Sequence, residues 1–531
     1  MTSHRTNAVA IVSIAAVVRL IFAAIIPVFP DETYYWEWSR HLAPGYFDHP
    51  FGIAVLIRLG TLALAPFRAA VTPLGIRLGV IIAGWIAAMA TIAIARRLAG
   101  DGAATRAAIV ITAMPLAAAG LILATPDVPV LMMTAVGLYC VVRALEHPPR
   151  SADSFRWWIA TGVSLGLAFS SKYTSIFLPA GVVVAILIRP SLRARLREPG
   201  PYLACIIATI VLLPVLLWNR EHGWISFVFQ LRHGLAAPQG SALLAAWKHE
   251  GDFWGGQAGL ASPILFVMMG IAVYRSLTNG VILSAKREGP LPSAHRDPSL
   301  AALVQDDIEF MLAAVTLVSF GFFIYSALRQ RVEPNWPAPA YIPAIVLIAV
   351  TPWNVAASKW LRAGVIFAAV MSAIIYVQAL APVLPIPARK DPIGRAFGWR
   401  ELTRSADSTA DAVRRETNAT TWLGGDRYQE ASELAFHDPV HPTTFATNLT
   451  GRVNQYVLWP GFADVAQTGD NLVLALDESN GPHDVVRALA PYFTSTRRGE
   501  LVSLRRGAGE ITTRRLWVLV AWRGGWPVAA R

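Results

Sequence analysis

Two adjacent carboxylates, Asp31 and Glu32, begin a segment rich in aromatic residues that includes Tyr34 and Tyr35. A carboxylate can remove a proton from an attacking hydroxyl group, and aromatic faces stack on ring-shaped ligands such as sugars. The aromatic residues have an alternative interpretation, because Trp and Tyr also favour the headgroup level of a membrane. That alternative does not account for Asp31, since an ionisable group at a membrane surface is costly unless it has a partner or a function.

Two further ionisable residues interrupt apolar segments. Asp127 follows Thr125 and Pro126 in a short turn, and Lys172 divides a long apolar stretch. An ammonium group can neutralise a phosphate, and a carboxylate can deprotonate a nucleophile. The alternatives are that Asp127 caps a helix and that Lys172 extends its charge to the surface. Together with Asp31, these residues suit recognition of a phosphorylated sugar, although a transporter for such a molecule would use similar groups.

The elements that position these residues must be membrane helices. The chain has 531 residues, of which 54% are hydrophobic and only 15% charged, and such a composition excludes a water-soluble or disordered protein. The apolar runs are too long for the strands of an outer-membrane barrel. The net charge of +12 lies largely in short loops, which argues against a nucleic-acid partner. Cys140 and Cys205 lie in apolar stretches and imply neither a disulfide framework nor a thiolate metal site.

A hydropathy window of ~19 residues predicts about eleven membrane spans. They lie near residues 7–29, 73–95, 107–124, 128–145, 157–171, 174–188, 202–218, 259–275, 308–328, 338–352 and 361–383.

The distribution of basic residues predicts the orientation. If the amino terminus is cytoplasmic, Lys and Arg concentrate in the even-numbered connections, as the retention of basic loops in the cytoplasm requires. These residues are Arg96, Arg97, Arg106, Arg143, Arg150, Arg156, Arg189, Arg193, Arg195, Arg197, Arg275, Lys286, Arg287, Arg296, Lys359 and Arg362. Asp31, Asp127 and Lys172 then lie on the outer side. Arg58 and Arg331 are outer-side cations that this tendency does not explain, which makes them candidates for a phosphate site.

The composition changes after the Pro-rich linker at residues 381–387. Strand-like runs at 471–477 and 516–522 alternate with helical patterns at about 400–416 and 482–492, which favours a small α/β domain. We therefore predict a transmembrane catalytic domain at 1–384 and an outward-facing α/β domain at 385–531.

Four motifs resemble those of the polyprenyl-phosphate-sugar-dependent glycosyltransferases. These are DETYYWEWSRHLAPGYFDHP at 31–50, ATPD at 124–127, FSSKYT at 169–174 and RVEPNWPAPAY at 331–341. They resemble the bacterial GT-C enzymes that are grouped with protein O-mannosyltransferases and the aminoarabinose transferases of lipid A, in the same order along residues 8–383. A stretch at 424–436 is also similar to members of this group.

The resemblance implies a GT-C fold whose first outer loop forms membrane-parallel helices and whose Asp-Glu pair supplies the catalytic carboxylate. Asp31 and Glu32 are accordingly the predicted catalytic residues. Asp48 and His49 match a motif in which relatives have an acid followed by a basic residue, and a histidine there is largely neutral at physiological pH. The predicted substrate-binding residues are Tyr34, Tyr35, Asp48, His49, Arg58, Asp127, Lys172, Tyr173, Arg331 and Asn335.

The resulting expectation is an inner-membrane glycosyltransferase that moves one sugar, with inversion, from a polyprenyl-phosphate donor to a glycan, lipid or protein acceptor at the periplasmic face of a bacterial cell. No cofactor is obligatory, although Asp31, Glu32 and Asp127 offer oxygen ligands for Mg²⁺ or Mn²⁺. A lipid-linked sugar flippase is the alternative, and a non-catalytic assembly partner is a third. A flippase would leave the anomeric bond intact, whereas an assembly partner would tolerate loss of Asp31 and Lys172.

Overall fold

The computed structural model describes residues 2–234, 242–285, 298–478 and 482–527 and is predominantly helical. Its α-helices are α1 (Thr2–Ile25), α2 (Pro30–Arg40), α3 (Gly52–Leu64), α4 (Pro73–Ala113), α5 (Pro115–Gly120), α6 (Asp127–Glu146), α7 (Ala152–Phe169), α8 (Phe177–Ile188), α9 (Pro190–Arg193), α10 (Pro199–Glu221), α11 (Ile225–Gly234), α12 (Ala242–Ala261), α13 (Pro263–Ala285), α14 (Pro298–Ala327), α15 (Tyr341–Val350), α16 (Val355–Leu380), α17 (Trp399–Thr417), α18 (Tyr428–His437), α19 (Phe462–Val465) and α20 (Pro482–Leu489). The strands are β1 (Thr421–Gly425), β2 (Thr444–Ala446), β3 (Asn471–Asp477), β4 (Phe493–Arg506) and β5 (Gly509–Trp522).

The protein is a multi-pass membrane protein. Among the described residues, six helices are long and apolar enough to cross a membrane, and two sharply bent helix pairs would raise the number to eight. The predicted number of about eleven spans stays a prediction. Part of the difference between the predicted number and the six to eight crossings lies in α15, which matches the predicted span at 338–352 but is too short to be counted as a crossing.

Another part of the difference lies in α4. Its 41 residues would extend about 60 Å as one straight helix, roughly twice the thickness of the apolar core of a bilayer. The backbone leaves the helical region at Ala99 and Gly100, where Gly100 has a φ of 74°. The predicted spans at 73–95 and 107–124 therefore begin on two separate helices, which meet at this kink within α4. The second span is also interrupted, because the backbone is extended at Met114 and α5 begins after it.

The first loop, between α1 and α4, contains α2 and α3, and α3 packs closely against α4. A Cβ atom on Gly60 would lie 2.5 Å from the carbonyl oxygen of Gly75, and one on Gly79 would overlap the carbonyl oxygen of Leu56. Small residues spaced four apart allow two helix backbones to approach in this way. The orientation of these two helices relative to the membrane stays a prediction.

The C-terminal region forms the predicted α/β domain. Its five-stranded sheet has the order β2-β1-β3-β5-β4, with β1 parallel to β2 and β3, and β5 antiparallel to β3 and β4. The strand predicted at 471–477 is confirmed, the run at 516–522 lies within β5, and α17 and α20 occupy the two helical patterns. Alternate residues of β3 face opposite sides, since Val473 packs in one apolar cluster and Leu472 in the other.

The membrane region and the C-terminal region share part of one apolar core. Ala431, Ala435, Phe436 and Tyr456 belong to the same cluster of buried residues as the membrane helices, and α18 packs against α2. The boundary between residues 384 and 385, which follows the end of α16 at Leu380, stays a prediction. The shared core means that the C-terminal region is docked on the first loop.

Candidate active site

The first turn of α2 presents the two predicted catalytic carboxylates. Pro30 occupies the first helical position, where its missing N–H and restricted φ are favourable, and Asp31 and Glu32 follow it. Acidic side chains in a first turn are stabilised by the partial positive charge of the helix N-terminus. The backbone N–H of Phe29 donates a hydrogen bond to Glu32 Oε2 at 3.0 Å. Local chemistry therefore begins the helix here and points the two acids in different directions.

Glu32 is fully buried and serves to hold the turn in place. Arg77 donates to Glu32 Oε1 through Nε at 2.7 Å and to Oε2 through Nη2 at 2.5 Å, and the Ala124 N–H donates to Oε1 at 2.9 Å. Arg77 is 0% exposed, and its remaining donors bind the carbonyl oxygens of Ala23, Ile26 and Pro27. A carboxylate with so many donors has no oxygen left for a substrate. We therefore correct the predicted catalytic role of Glu32 to a positioning role.

Asp31 is half-buried and remains accessible. The hydroxyl group of Tyr428, in the C-terminal domain, donates to Asp31 Oδ1 at 2.7 Å. Burial raises the pKa of Tyr428 well above its ordinary value, and the charge of Asp31 raises it further, so Tyr428 keeps its proton and acts as a donor. Within the described part of the chain, Asp31 Oδ2 receives no hydrogen bond. This oxygen is the one available to an incoming hydroxyl group.

Glu433, on α18, lies against the same turn and is 0% exposed. Burial raises the pKa of its carboxyl group well above the ordinary value, and the nearby charges of Glu32 and Asp31 raise it further. Burial and like charge thus favour the neutral form of Glu433. Glu433 in its neutral form adds no negative charge to this end of the site.

Asp127 and Lys172 form a second buried pair. Lys172 Nζ donates to Asp127 Oδ1 at 2.6 Å, and Asn335 Nδ2 donates to Asp127 Oδ2 at 2.8 Å. Only 8% of the Lys172 side chain is exposed, so the alternative that it extends to the surface is wrong. The capping alternative for Asp127 is also wrong, because Pro126 is the N-cap residue and both Asp127 oxygens bind side chains of other elements. Within the described residues, Asp127 accepts from one of the three ammonium donors of Lys172, and the other two remain for a ligand.

Asp48 is bound by one residue of the loop and one of the C-terminal domain. The Tyr34 hydroxyl donates to Asp48 Oδ2 at 2.6 Å, and Arg452 Nη2 donates to Oδ1 at 2.7 Å. Burial raises the pKa of Asp48, and the adjacent guanidinium group of Arg452 opposes this effect. The Arg452 side chain is 47% exposed, so a cation of the C-terminal domain reaches the site from the solvent side.

His49 lies in a tight turn that this cluster closes. The turn is held by a bridge between Gly45 and Pro50, and the Tyr46 N–H donates to the carbonyl oxygen of His49 at 3.0 Å. The His49 ring is half-buried, and its role at the phosphate stays a prediction.

Most of the aromatic residues of the first loop are buried in the protein core. Trp38 is 0% exposed and stacks on Tyr46 with ring centroids 4.3 Å apart, and Trp36 is 3% exposed. Both side chains are enclosed by protein and present no surface to lipid headgroups or to a ligand, so the interfacial alternative is wrong for them. Tyr34 is also buried, and its hydroxyl accepts from the Gln455 N–H at 2.7 Å. We correct its predicted substrate contact to a role in holding Asp48. Tyr35 is half-buried beside this group.

The other predicted ligand-binding residues are not all brought together. Tyr173 is half-buried, donates to Ser226 Oγ at 3.0 Å and accepts from Asn219 Nδ2 at 3.2 Å, and it directly follows Lys172 in the chain. Arg58 is exposed on α3. The Arg331 side chain is 69% exposed and lies 3.5 Å from Glu333. The geometry therefore gives no support to Arg58 or Arg331 as phosphate ligands.

The four motifs meet through hydrogen bonds. Glu32 of the first motif is bound by the N–H of Ala124 in the second. The Gly52 N–H, just beyond the first motif, donates to the carbonyl oxygen of Ser170 in the third at 2.9 Å. Asp127 of the second motif binds Lys172 of the third and Asn335 of the fourth. Segments that are distant in the chain thus form one site.

The acids do not fit the divalent cation that the sequence suggested. Both oxygens of Glu32 are bound by Arg77, and both oxygens of Asp127 are bound by Lys172 and Asn335. Within the described ranges, no three His, Cys, Asp or Glu residues form a group suited to a metal ion. Since Mg²⁺ and Mn²⁺ prefer several oxygen ligands, Asp31 alone is an insufficient site.

Sequence reasoning missed the main partners of the carboxylates. Tyr428 lies in the stretch at 424–436 that resembled the family, so a signal existed, although its contact with Asp31 was not foreseen. Arg452 and Gln455 lie in a loop without a recognisable pattern. Arg77 lies near the start of the span predicted at 73–95, where no local pattern distinguishes it.

Comparisons with known proteins identify sugar transferases as relatives of this chain. The family model for dolichyl-phosphate-mannose-protein mannosyltransferases matches residues 48–218. A lipid A galacturonosyltransferase, RgtD of Rhizobium johnstonii, is 26% identical over 383 residues, which are 72% of this chain and 72% of the relative.

Two crystal structures of ArnT from Cupriavidus metallidurans share the fold. The apo form has a TM-score of 0.58 and 16% identity, and the form bound to undecaprenyl phosphate has a TM-score of 0.56 and 16% identity. Each comparison covers 97% of this chain and 98% of the other. From the family model and the curated relative we conclude that the protein is a glycosyltransferase, and the likeness to ArnT shows that it has the GT-C fold.

Proposed function

We propose that the protein transfers one sugar from a polyprenyl-phosphate donor to lipid A or a related glycan, with inversion at the anomeric carbon. The observation that carries this proposal is the convergence of the four motifs, whose hydrogen bonds bring the segment that carries the accessible carboxylate of Asp31 together with the segment that carries the buried cation of Lys172. The donor class is supported by ArnT bound to undecaprenyl phosphate, and the acceptor class by the lipid A galacturonosyltransferase.

In the proposed reaction an acceptor hydroxyl oxygen attacks the anomeric carbon as the bond from that carbon to the phosphate oxygen breaks. The hydroxyl proton passes to Asp31 Oδ2, while Tyr428 holds Oδ1. The electron pair of the broken bond leaves with the polyprenyl phosphate. If the acceptor is itself an ionised phosphate, no proton moves and Asp31 only orients it.

Lys172 would stabilise the charge on the leaving phosphate. Its side chain is buried, where an ion pair is stronger than in water. Asp127 accepts one of its three donors and holds the ammonium group in place, and Asn335 fixes Asp127 in turn. This cation does for the phosphate what a divalent ion would otherwise do, so we propose that no metal is obligatory. Activity in excess EDTA would test this point.

For localisation we propose the bacterial inner membrane, with the site and the C-terminal domain on the periplasmic face. The concentration of Lys and Arg in the even-numbered connections supports this orientation.

The experiment uses the full-length protein in nanodiscs with lipid A and undecaprenyl-phosphate-linked sugars. Galacturonic acid is the first sugar to test, because the curated relative is a galacturonosyltransferase. Release of undecaprenyl phosphate and transfer of label are followed together. We expect Asp31→Asn and Lys172→Met each to lower kcat by ~10²- to 10³-fold. Asp153→Asn and Arg331→Gln change exposed side chains and should leave kcat unchanged.

Two results would contradict the proposal. Donor binding without cleavage, for every sugar tested with acceptor present, would favour a flippase. Full activity of both Asp31→Asn and Lys172→Met would show that the chemistry lies elsewhere in the molecule.

A further inference from the structure

A cavity of about 190 Å³ lies between the C-terminal domain and the start of α2. Its lining includes Pro30 of α2 and, from the C-terminal domain, Arg395, Trp399, Arg427 and Glu430. This volume is below the ~300–1,000 Å³ of pockets that enclose whole drug-sized ligands. The cavity is therefore suited to a small group, such as one residue of a larger glycan.

The cavity adjoins the proposed catalytic carboxylate. Pro30 is bonded to Asp31, and Arg427 is bonded to Tyr428, whose hydroxyl donates to Asp31. Consecutive Cα atoms are ~3.8 Å apart. A ligand in the cavity would thus contact Pro30 and Arg427, the direct chain neighbours of Asp31 and Tyr428.

The cations of the cavity are only partly neutralised. Arg514 pairs with Glu430 at 3.0 Å and with Asp477 at 3.3 Å. Arg395 is exposed and Arg427 is half-buried, and within the described part of the chain neither guanidinium group forms an ion pair. Burial raises the pKa of Glu430, and the charges of Arg514 and of Arg427 oppose this effect. Three arginines, Arg395, Arg427 and Arg514, still line the cavity beside this one carboxylate. Such an excess of cations favours an anionic group, since the planar guanidinium matches the geometry of carboxylates and phosphates.

Two residues that line the cavity carry buried acceptors without donors. Glu430 is 2% exposed, and its Oε1 accepts from Arg514, whereas Oε2 is buried and has no partner among the described residues. The buried Oε1 of Gln429 also has no hydrogen-bond partner among the described residues. A buried acceptor without a donor is destabilising, so a ligand that supplies hydroxyl groups would be favoured. Trp399 adds an aromatic wall of the kind that stacks on the apolar face of a sugar.

We propose that this cavity binds an acidic sugar residue of the acceptor, with its acid on Arg395 and Arg427 and its hydroxyl groups on Glu430 and Gln429. The inference rests on the proposed function, because it assigns the acceptor side of the same site. The acid is either a phosphate on the glycan or the carboxylate of a sugar acid, and both present the same anionic oxygens.

The test combines binding and turnover in the full-length protein in nanodiscs. The binding probe is the deacylated, bis-phosphorylated glucosamine disaccharide. We expect Arg427→Gln and Arg395→Gln each to weaken its binding by about ten- to hundred-fold, as loss of a charge-assisted hydrogen bond would. In turnover, the KM for lipid A should rise by a similar factor, while kcat and the KM for the donor stay within about two-fold.

Arg415→Gln is the matched control. Arg415 is an exposed arginine of the same domain and lies 16 residues beyond Trp399 on α17, or about 24 Å along the helix. Dephosphorylated lipid A and a glycan that carries a sugar acid without phosphate form two further arms. If Arg427→Gln no longer raises the KM for dephosphorylated lipid A, the cavity binds the phosphate. If the variant raises the KM for the glycan with a sugar acid, the cavity binds the carboxylate.

The outcomes separate the two proposals. Arginine-dependent binding of the disaccharide without any sugar transfer would support the cavity and overturn the proposed function. Transfer in which Arg427→Gln and Arg395→Gln behave like Arg415→Gln would overturn the cavity and leave the function intact. An equal fall in kcat for acidic and neutral acceptors would also overturn it, since that result indicates displacement of Asp31 through Tyr428.

Discussion

At the scale of single residues, the ion pair of Glu32 and Arg77 has the strongest energetic consequence. Both side chains are almost completely buried, at 1% and 0% exposure. Removal of one partner from such a pair leaves a charge without compensation in the protein interior, whereas removal of both is tolerated better. The pair therefore fixes the turn that carries Asp31, and its loss should act on stability before it acts on chemistry.

We expect Arg77→Met to lower the free energy of unfolding by about 3–5 kcal/mol, and the double variant Glu32→Gln/Arg77→Met to lose less. The matched control is Arg97→Met, because Arg97 pairs with Glu146 while its side chain is 38% exposed; it should cost under about 1 kcal/mol. Thermal unfolding in nanodiscs provides the comparison. If Glu32→Gln retained full stability but lost turnover, Glu32 would be catalytic after all.

At the scale of elements, the contact between α3 and α4 fixes the position of α3 at the end of the first loop. Gly52 begins α3 and donates to the carbonyl oxygen of Ser170, so the position of α3 sets the distance between this loop and the segment that carries Lys172. Gly60 and Gly79 allow the two helix backbones to touch. A side chain at this contact would move α3 outward, because neither backbone can yield locally.

Gly79→Ala should therefore destabilise the protein by about 1–3 kcal/mol, which is the usual cost of overpacking, and should lower turnover as well. Gly270→Ala is the control, since Gly270 lies within α13 and a Cβ there meets no atom within 4 Å. That change should be neutral or stabilising by up to ~1 kcal/mol, because Ala is the better helix former. Equal unfolding temperatures for the two variants would show that the α3–α4 contact is not limiting.

At the scale of the whole molecule, the C-terminal domain completes the site. It contributes Tyr428 to Asp31 and Arg452 to Asp48, and its Ser432 hydroxyl lies 2.9 Å from the hydroxyl of Thr33. These contacts join residues that are about four hundred positions apart in the chain. The domain is thus part of the active-site structure rather than a separate appendage.

Tyr428→Phe tests this role, because it removes only the hydroxyl group that holds Asp31. We expect kcat to fall by about ten-fold, as for loss of one hydrogen bond to a charged group, with the KM for the donor and the unfolding temperature nearly unchanged. Tyr202→Phe is the control, since the Tyr202 hydroxyl binds the Leu196 carbonyl oxygen at an exposed position. A change in KM alone would mean that Tyr428 contributes to binding and does not position Asp31.

The sequence by itself determined which part of the chain lies in lipid and which part lies in water. Long apolar runs, the location of basic loops and the alternation in the tail are local properties, and they identified the membrane region, the α/β domain and the strand at 471–477. Local properties also selected Asp31, Asp127 and Lys172, because an ionisable residue is conspicuous among apolar neighbours. The family resemblance then joined these residues into one expected site.

Only the tertiary structure decided what each of these groups does. Glu32 and Asp31 are adjacent and chemically similar, yet one is bound by Arg77 and the other is accessible beside Tyr428. Arg58 and Arg331 matched the pattern of phosphate ligands but lie exposed, whereas Arg452 matched no pattern and reaches Asp48. The physical reason is that burial and pairing depend on which helices pack together and where the C-terminal domain docks, and no window along the chain contains both partners of such a contact.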